Sequence, residues 1–128
     1  MTEPAPARTV FKILPRSDWE AARASGAYAG SADDVRDGFI HLSTAAQLDG
    51  TARRHFAGKP DLLLVAFEAA ALGAKLVWEP SRGGALFPHL YAALPAALAV
   101  WQTALPLGAD GVPLIPDLPG KQMSKPEH

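Results

Sequence analysis

Three short stretches of the chain carry side chains from which a reactive site could be built. They are residues 41–44 (HLST), residues 78–84 (WEPSRGG) and residues 89–91 (HLY). Histidine moves protons near neutral pH, a carboxylate stabilises positive charge, and a guanidinium holds phosphate. Along an extended chain, side chains two apart share a face. His41 and Ser43 would then point the same way from one strand, and His89 and Tyr91 the same way from another. If both strands contribute to one sheet face, the four groups converge, with Glu79 and Arg82 beside them.

Each of these residues also has an ordinary structural use. His41 could be a satisfied core histidine, and Ser43 or Thr44 could cap the helix that follows. For Thr44 the cap is the stronger reading. Glu79 could be a surface carboxylate on an edge strand, Arg82 the partner of a structural ion pair, and Tyr91 a core aromatic with one bonded hydroxyl. His55, on the apolar face of a helix, reads as packing, and Trp19 and Trp101 read as core. No Gly-x-Gly-x-x-Gly, P-loop, Gly-x-Ser-x-Gly or His-Glu-x-x-His motif is present.

The elements that must position these groups follow from patterning. Residues 10–14 (VFKIL), ended by Pro15, read as a strand. Ser17 and Glu20 form a capping-box signature for a helix running to about Ser25 and stopped by Gly26. Residues 28–38, with Gly30 and several aspartates, look like a loop. Residues 38–44 alternate as a strand, and Thr44 with Gln47 makes a second capping box. The helix it opens presents Leu48, Ala52, His55 and Phe56 on one face. Residues 62–68 are apolar nearly throughout and predict a central strand covered on both faces. A helical turn at 69–72, strands at 75–79 and 87–94, and a last segment at 97–105 that favours strand complete the domain. From Pro106 onward Pro and Gly dominate, and a loose segment is expected.

Strand, helix, strand, helix and then mostly strands is an α+β order, with a mixed, mostly antiparallel sheet and two main helices. The expected organisation is a flexible leader at 1–9, a single domain at 10–116 and a loose tail at 117–128.

Composition narrows the function classes. The chain has 128 residues, 48% hydrophobic and 20% charged, enough for one domain with a real core. Twelve Lys+Arg against thirteen Asp+Glu leave a net charge of -1, with no basic excess for nonspecific nucleic-acid binding or an anionic membrane. The absence of cysteine excludes a disulfide scaffold, a thiolate metal site and a cysteine nucleophile. The N-terminal residues lack an apolar signal core, and the longest clean apolar run, residues 62–67, is far short of the roughly 20 residues of a spanning helix. A cytoplasmic protein is expected.

Several motifs in order carry a family resemblance. They are Trp19, residues 37–47 (DGFIHLSTAAQ), residues 51–58 (TARRHFAG), residues 78–91 (WEPSRGGALFPHLY) and residues 106–108 (PLG). Across about residues 10–116 the chain resembles the DUF952 family of small, largely uncharacterised bacterial proteins. That family is grouped by fold with the ADP-ribosyltransferases. The resemblance therefore implies an ADP-ribosyltransferase-like split, mostly antiparallel sheet around an NAD cleft. Sites of that superfamily combine an early His or Arg, a Ser or aromatic on a middle strand, and a late Glu or Gln. The similar residues here are His41, Ser43 and/or Tyr91, and Glu79, with Glu79 preceding Tyr91 in a departure from the usual order. In that implied site Glu79 would stabilise an oxocarbenium-like ribosyl group. His41 and Ser43 would hydrogen-bond the other ribose or the nicotinamide amide. Arg82 would hold a phosphate beside the close-approach glycines, and Tyr91 would stack on a ring. Thr44 and His89 join the expected ligand-binding set.

The resemblance thus implies an NAD-dependent, ADP-ribosyl- or glycosyl-transfer-type enzyme, with NAD as substrate rather than fixed cofactor and a small nucleotide-like molecule as partner. The alternatives are a nucleotide or small-metabolite binding protein without turnover, a metal enzyme using His41, His89 and Glu79 as a two-histidine, one-carboxylate set, and an interaction protein whose polar run is a solvated sheet face.

Overall fold

In the computed structural model, which describes residues 7–119, residues 62–67 form the most deeply buried stretch of chain. A strand with no polar face is stable only between two apolar layers, and this one has them. Strand β4 (Leu62–Glu68) lies between β1 (Thr9–Pro15) and β8 (Ala99–Leu105), antiparallel to both. Leu63, Val65 and Phe67 face one core with Val10, Leu14 and Trp19. Leu62, Leu64 and Ala66 face the other with Phe11, Ile13 and Leu105. The pairing with β8 shifts register between Ala66 and Phe67, as an irregularity near a strand end does.

Each core is closed by one main helix. Helix α1 (Arg16–Ser25) buries Trp19, which meets Phe67 edge-on at 6.1 Å and donates from Nε1 to Gln102 Oε1 at 2.7 Å. It starts one residue before the Ser17 signature, with Pro15 at the cap position and no side-chain cap bond. Pro15 holds extended backbone there, with φ -60° and ψ 142°. Gly26, at φ 105°, ends it as expected. On the other side, Thr44 and Gln47 make the expected capping box: the Thr44 N–H donates to Gln47 Oε1 at 3.0 Å. A 3-10 turn (Ala45–Gln47) leads into α3 (Leu48–His55), which buries Leu48 and Ala52 while His55 is exposed. The Gln47 amide also donates to the Leu86 carbonyl at 2.7 Å, tying this turn to the second sheet.

The second sheet has the order β3 (Ile40–His41), β6 (Leu86–Leu90), β5 (Leu76–Pro80), again all antiparallel. A two-residue ladder joins β2 (Ala27–Tyr28) to β7 (Leu94–Pro95). Helical turn α4 (Ala69–Leu72) follows β4 as expected. Phe11 and Ser43 bridge the two larger sheets, exchanging backbone bonds of 2.8 and 3.0 Å. The antiparallel α+β class and the two main helices therefore agree with the sequence reading.

Trp101, read as core, is 39% exposed, and His55, read as packing, is exposed too; three stretches of chain also differ from expectation. The stretch read as a loop holds β2 and α2 (Ala32–Asp37), the latter opened by a capping box between Ser31 and Asp34. The strand expected over 38–44 contracts to Ile40–His41 plus the Ser43 bridge, because the chain turns off β6 to reach β1. The segment from Pro106 is irregular yet tied down: Leu107 bridges Pro113, Gly58 donates to the Gly111 carbonyl at 2.7 Å, and Val112, Ile115 and Leu118 pack on the second core. Most of the expected leader and tail, residues 1–6 and 120–128, lies outside the described residues. Among the described residues no helix is long and apolar enough to cross a membrane.

Candidate functional site

His41 of β3 and His89 of β6 are direct register partners, so their side chains leave the same face of the second sheet. Their ring centroids are 5.6 Å apart. On the next strand Glu79 stands diagonal to His89, which is opposite Val77. A diagonal neighbour is within reach of a long side chain, and His89 Nδ1 meets Glu79 Oε1 at 2.7 Å. Tyr91, two residues on, donates its hydroxyl to the same oxygen at 2.8 Å. Of the groups expected to converge, His41, His89, Tyr91 and Glu79 come together, and Ser43 does not. A carboxylate only accepts, so His89 Nδ1 carries the proton, and in the neutral ring Nε2 keeps its lone pair.

His41 has carboxylates of its own, both on or at the end of α2. Its Nδ1 is 2.6 Å from Asp34 Oδ1, and its Nε2 is 3.0 Å from Asp37 Oδ2. Phe39 fills the space between the groups. It stacks on His89 with centroids 4.0 Å apart and rings 22° from parallel, and lies 4.6 Å from the His41 ring and 5.2 Å from Tyr91.

Asp34 is buried, 2% exposed, and each of its oxygens has two donors. Oδ1 accepts from the His41 backbone at 3.1 Å and from the His41 ring. Oδ2 accepts from the Ser31 backbone at 2.9 Å and from Lys12 Nζ at 3.0 Å. Burial pushes this carboxyl up, but the His41 ring, Lys12 and the two backbone N–H groups outweigh it and hold it well below the usual carboxylate range. Glu79 is likewise held below its ordinary range by its bonds from His89 and then Tyr91, against some desolvation. The Tyr91 hydroxyl is pushed up, first by that bond to Glu79 and then by desolvation. The Arg36 guanidinium bonds Asp37 and lowers its carboxyl too.

Beside these groups lies a cleft of about 250 Å³, lined by Asp34, Phe39 and Tyr91 together with Ala29, Val35 and Leu90. The cleft edge carries Asp34 and the rings of Phe39 and Tyr91; in contact with those rings stand His89, whose tautomer is set by Glu79, and His41, which has a carboxylate at each ring nitrogen. Such a set suits acid–base work and the stabilisation of a cationic or cation-like ring.

The remaining sequence candidates lie elsewhere. Ser43 is buried and its hydroxyl meets Thr51 Oγ1 at 2.9 Å, at the start of α3 rather than at His41. Ser43 pairs with Phe11 of β1 and bonds Thr51, so its hydroxyl is engaged away from the groups around His41. Thr44 serves the cap described above. Glu79 bonds His89 and Tyr91, not His41. Arg82 belongs to the turn Arg82–Gly84 after β5, and its side chain lies outside what the structure describes. Among the described residues no three His, Asp or Glu side chains are arranged to hold a metal ion, so His41, His89 and Glu79 do not form a ligand set. Sequence reasoning missed Lys12, Asp34, Asp37 and Phe39. The Ser31-x-x-Asp34 box was the available signal for Asp34. Nothing local marks Lys12, whose partners are 22 and 29 residues away.

The family described as a protein of unknown function, DUF952, matches residues 13–102. No curated protein matches the chain. Among solved structures, the crystal structure of protein CC0527 from Caulobacter crescentus is similar at 50% identity and TM-score 0.81, covering 83% of this chain and 93% of that one. The solution NMR structure of CC0527 is similar at 50% identity and TM-score 0.74, covering 82% and 90%.

Proposed function

The chain belongs to the DUF952 family, whose function is unknown, and from its site we propose an enzyme that binds NAD or a related nucleotide and transfers the ribosyl group. The observation that carries this reading is Glu79: an ionised carboxylate, fixed on one oxygen by His89 and Tyr91, about a third exposed and set beside aromatic rings. Cleavage of the nicotinamide–ribose bond passes through an oxocarbenium-like state, as glycoside cleavage does. The C–N electron pair leaves with nicotinamide, which departs neutral, and the acceptor's nucleophile bonds to the ribosyl carbon and gives up its proton. Glu79 would stabilise the developing positive charge and hold a ribose hydroxyl. Phe39 and Tyr91 would receive the cationic ring, and His41 would bond the ribose or the nicotinamide amide by exchanging its contact with the partly exposed Asp37. Arg82 and Thr44 are the remaining proposed ligand contacts. The fold analogy with the ADP-ribosyltransferases belongs to this proposal.

Nicotinamide release from NAD tests it. Glu79→Gln is expected to lower turnover at least a hundredfold while leaving affinity within a few fold. Absence of nicotinamide release by the wild type, or full activity in Glu79→Gln, contradicts it.

A second reading, a nucleotide or small-metabolite binding protein without turnover, is favoured by one feature. Both nitrogens of His41 already face carboxylates, which fits a ring held for recognition better than one free to exchange a proton. Under that reading the ligand is recovered unchanged after incubation, and Arg82→Ala weakens binding only.

A further inference from the structure

Lys12 sits in β1 between the core residues Phe11 and Ile13 and is 6% exposed. Its ammonium crosses to three other elements. It donates to Asp34 Oδ2 of α2 at 3.0 Å and to the His41 carbonyl of β3 at 3.0 Å, and it lies 5.8 Å over the Tyr28 ring of β2. A cation buried without partners is strongly disfavoured, so this placement requires the anion it meets.

We propose that Lys12 is the positioning residue of His41. The division of labour at Asp34 carries the inference. Lys12 and the Ser31 N–H take one oxygen, which leaves the other for the His41 backbone and the His41 ring. Without the ammonium, the buried carboxyl would face water-excluded surroundings with less compensation and would take up a proton. A neutral carboxyl is a much weaker acceptor, and the orientation of the imidazole would be lost with it. Lys12 also holds β3 directly through the His41 carbonyl, so one side chain supports both the backbone and the ring orientation of the same residue.

The charged and titratable groups facing Lys12 are Asp34 and, at longer range, Asp33 from α2, with Tyr28 from β2. Burial lowers the Lys12 ammonium's own proton affinity, and Asp34 opposes this through its charge and its hydrogen bond. This role concerns the protein's own residues whatever the ligand. Its test uses the free protein, so it and the nucleotide reading fail separately.

The experiment follows the Asp34 carboxyl carbon and the His41 ring proton on Nδ1 by NMR as pH is lowered, in the wild type, Lys12→Met, Lys12→Gln and Lys12→Arg. In the wild type the carboxyl should stay ionised below the ordinary carboxylate range, with the ring proton visible. Lys12→Met, or Lys12→Gln if the former does not fold, should raise the Asp34 midpoint by more than one pH unit and abolish the ring-proton signal at mildly acid pH. Lys12→Arg should restore both. The proposal is overturned by a wild-type Asp34 that titrates at or above the ordinary carboxylate value. It is equally overturned by a folded neutral variant with both signals unchanged, or by an Arg variant that behaves like the neutral ones.

Discussion

His41 and His89 stand directly opposite each other across the β3–β6 pair, ring centroids 5.6 Å apart, and each is held by its own carboxylate. The two are not equivalent. His41 lies between Asp34 and Asp37, whereas His89 bonds Glu79 and stacks on Phe39. A two-residue strand thus suffices to set two imidazoles side by side, because α2 and β5 supply the carboxylates that fix each ring.

Phe39 is the wedge between these rings, and shortening it should loosen both. Phe39→Leu is expected to cost about 1–2 kcal/mol of stability, the scale of lost aromatic contacts at a half-buried position. Urea denaturation reads the cost. The ring-current shifts of His89 should collapse in the same variant.

The acid side of the stability curve should carry the mark of Asp34. Its carboxyl is held below the ordinary range in the folded chain and titrates near about 3.9 when unfolded. The unfolded chain therefore takes up the proton first. The stabilisation is complete above about pH 5 and is lost as pH falls through the unfolded value toward the lowered folded one. Asp34→Asn should flatten that acid slope in pH-dependent denaturation. It should also cost about 3–5 kcal/mol near neutrality, because it leaves Lys12 buried without its anion.

Gly30 bears on the same carboxylate. It holds φ 115°, and a Cβ there would come 2.8 Å from the Asp34 Cβ. Gly26, at φ 105°, has open space around it. Gly26→Ala is expected to lose about 1 kcal/mol through its backbone alone. Gly30→Ala should lose about 2–3 kcal/mol and shift the His41 ring resonances, which Gly26→Ala should leave in place. Thermal melts and NMR of the two variants separate the effects.

Ser43, expected at the site, serves the start of α3 through Thr51. Ser43→Ala should therefore cost about 1 kcal/mol of stability and leave ligand affinity unchanged, as parallel melts and titrations would establish.

What was legible in the sequence follows from how locally it is encoded. The apolar run of β4 and the capping box at Thr44 are local signals, and both elements form where they were expected. His89, Tyr91 and Glu79 meet because strand alternation and hairpin pairing operate over a dozen residues. Ser43 is lost to the site because tertiary partners, the bridge to Phe11 and the bond to Thr51, take it up. Asp34 was hidden in a stretch whose glycine and aspartates resemble a loop, although its capping box was there to be read. Lys12 could not be found, since a lysine in an apolar strand gains meaning only from partners on other elements.

The most direct test of the functional account is calorimetric titration of the protein with NAD, ADP-ribose and nicotinamide, repeated with His41→Ala and Glu79→Gln. The account predicts saturable heat with NAD. That binding should weaken tenfold or more, about 1.4 kcal/mol, in His41→Ala, and should be nearly unchanged in Glu79→Gln. No heat with any of the three ligands would contradict NAD as the molecule this site accepts.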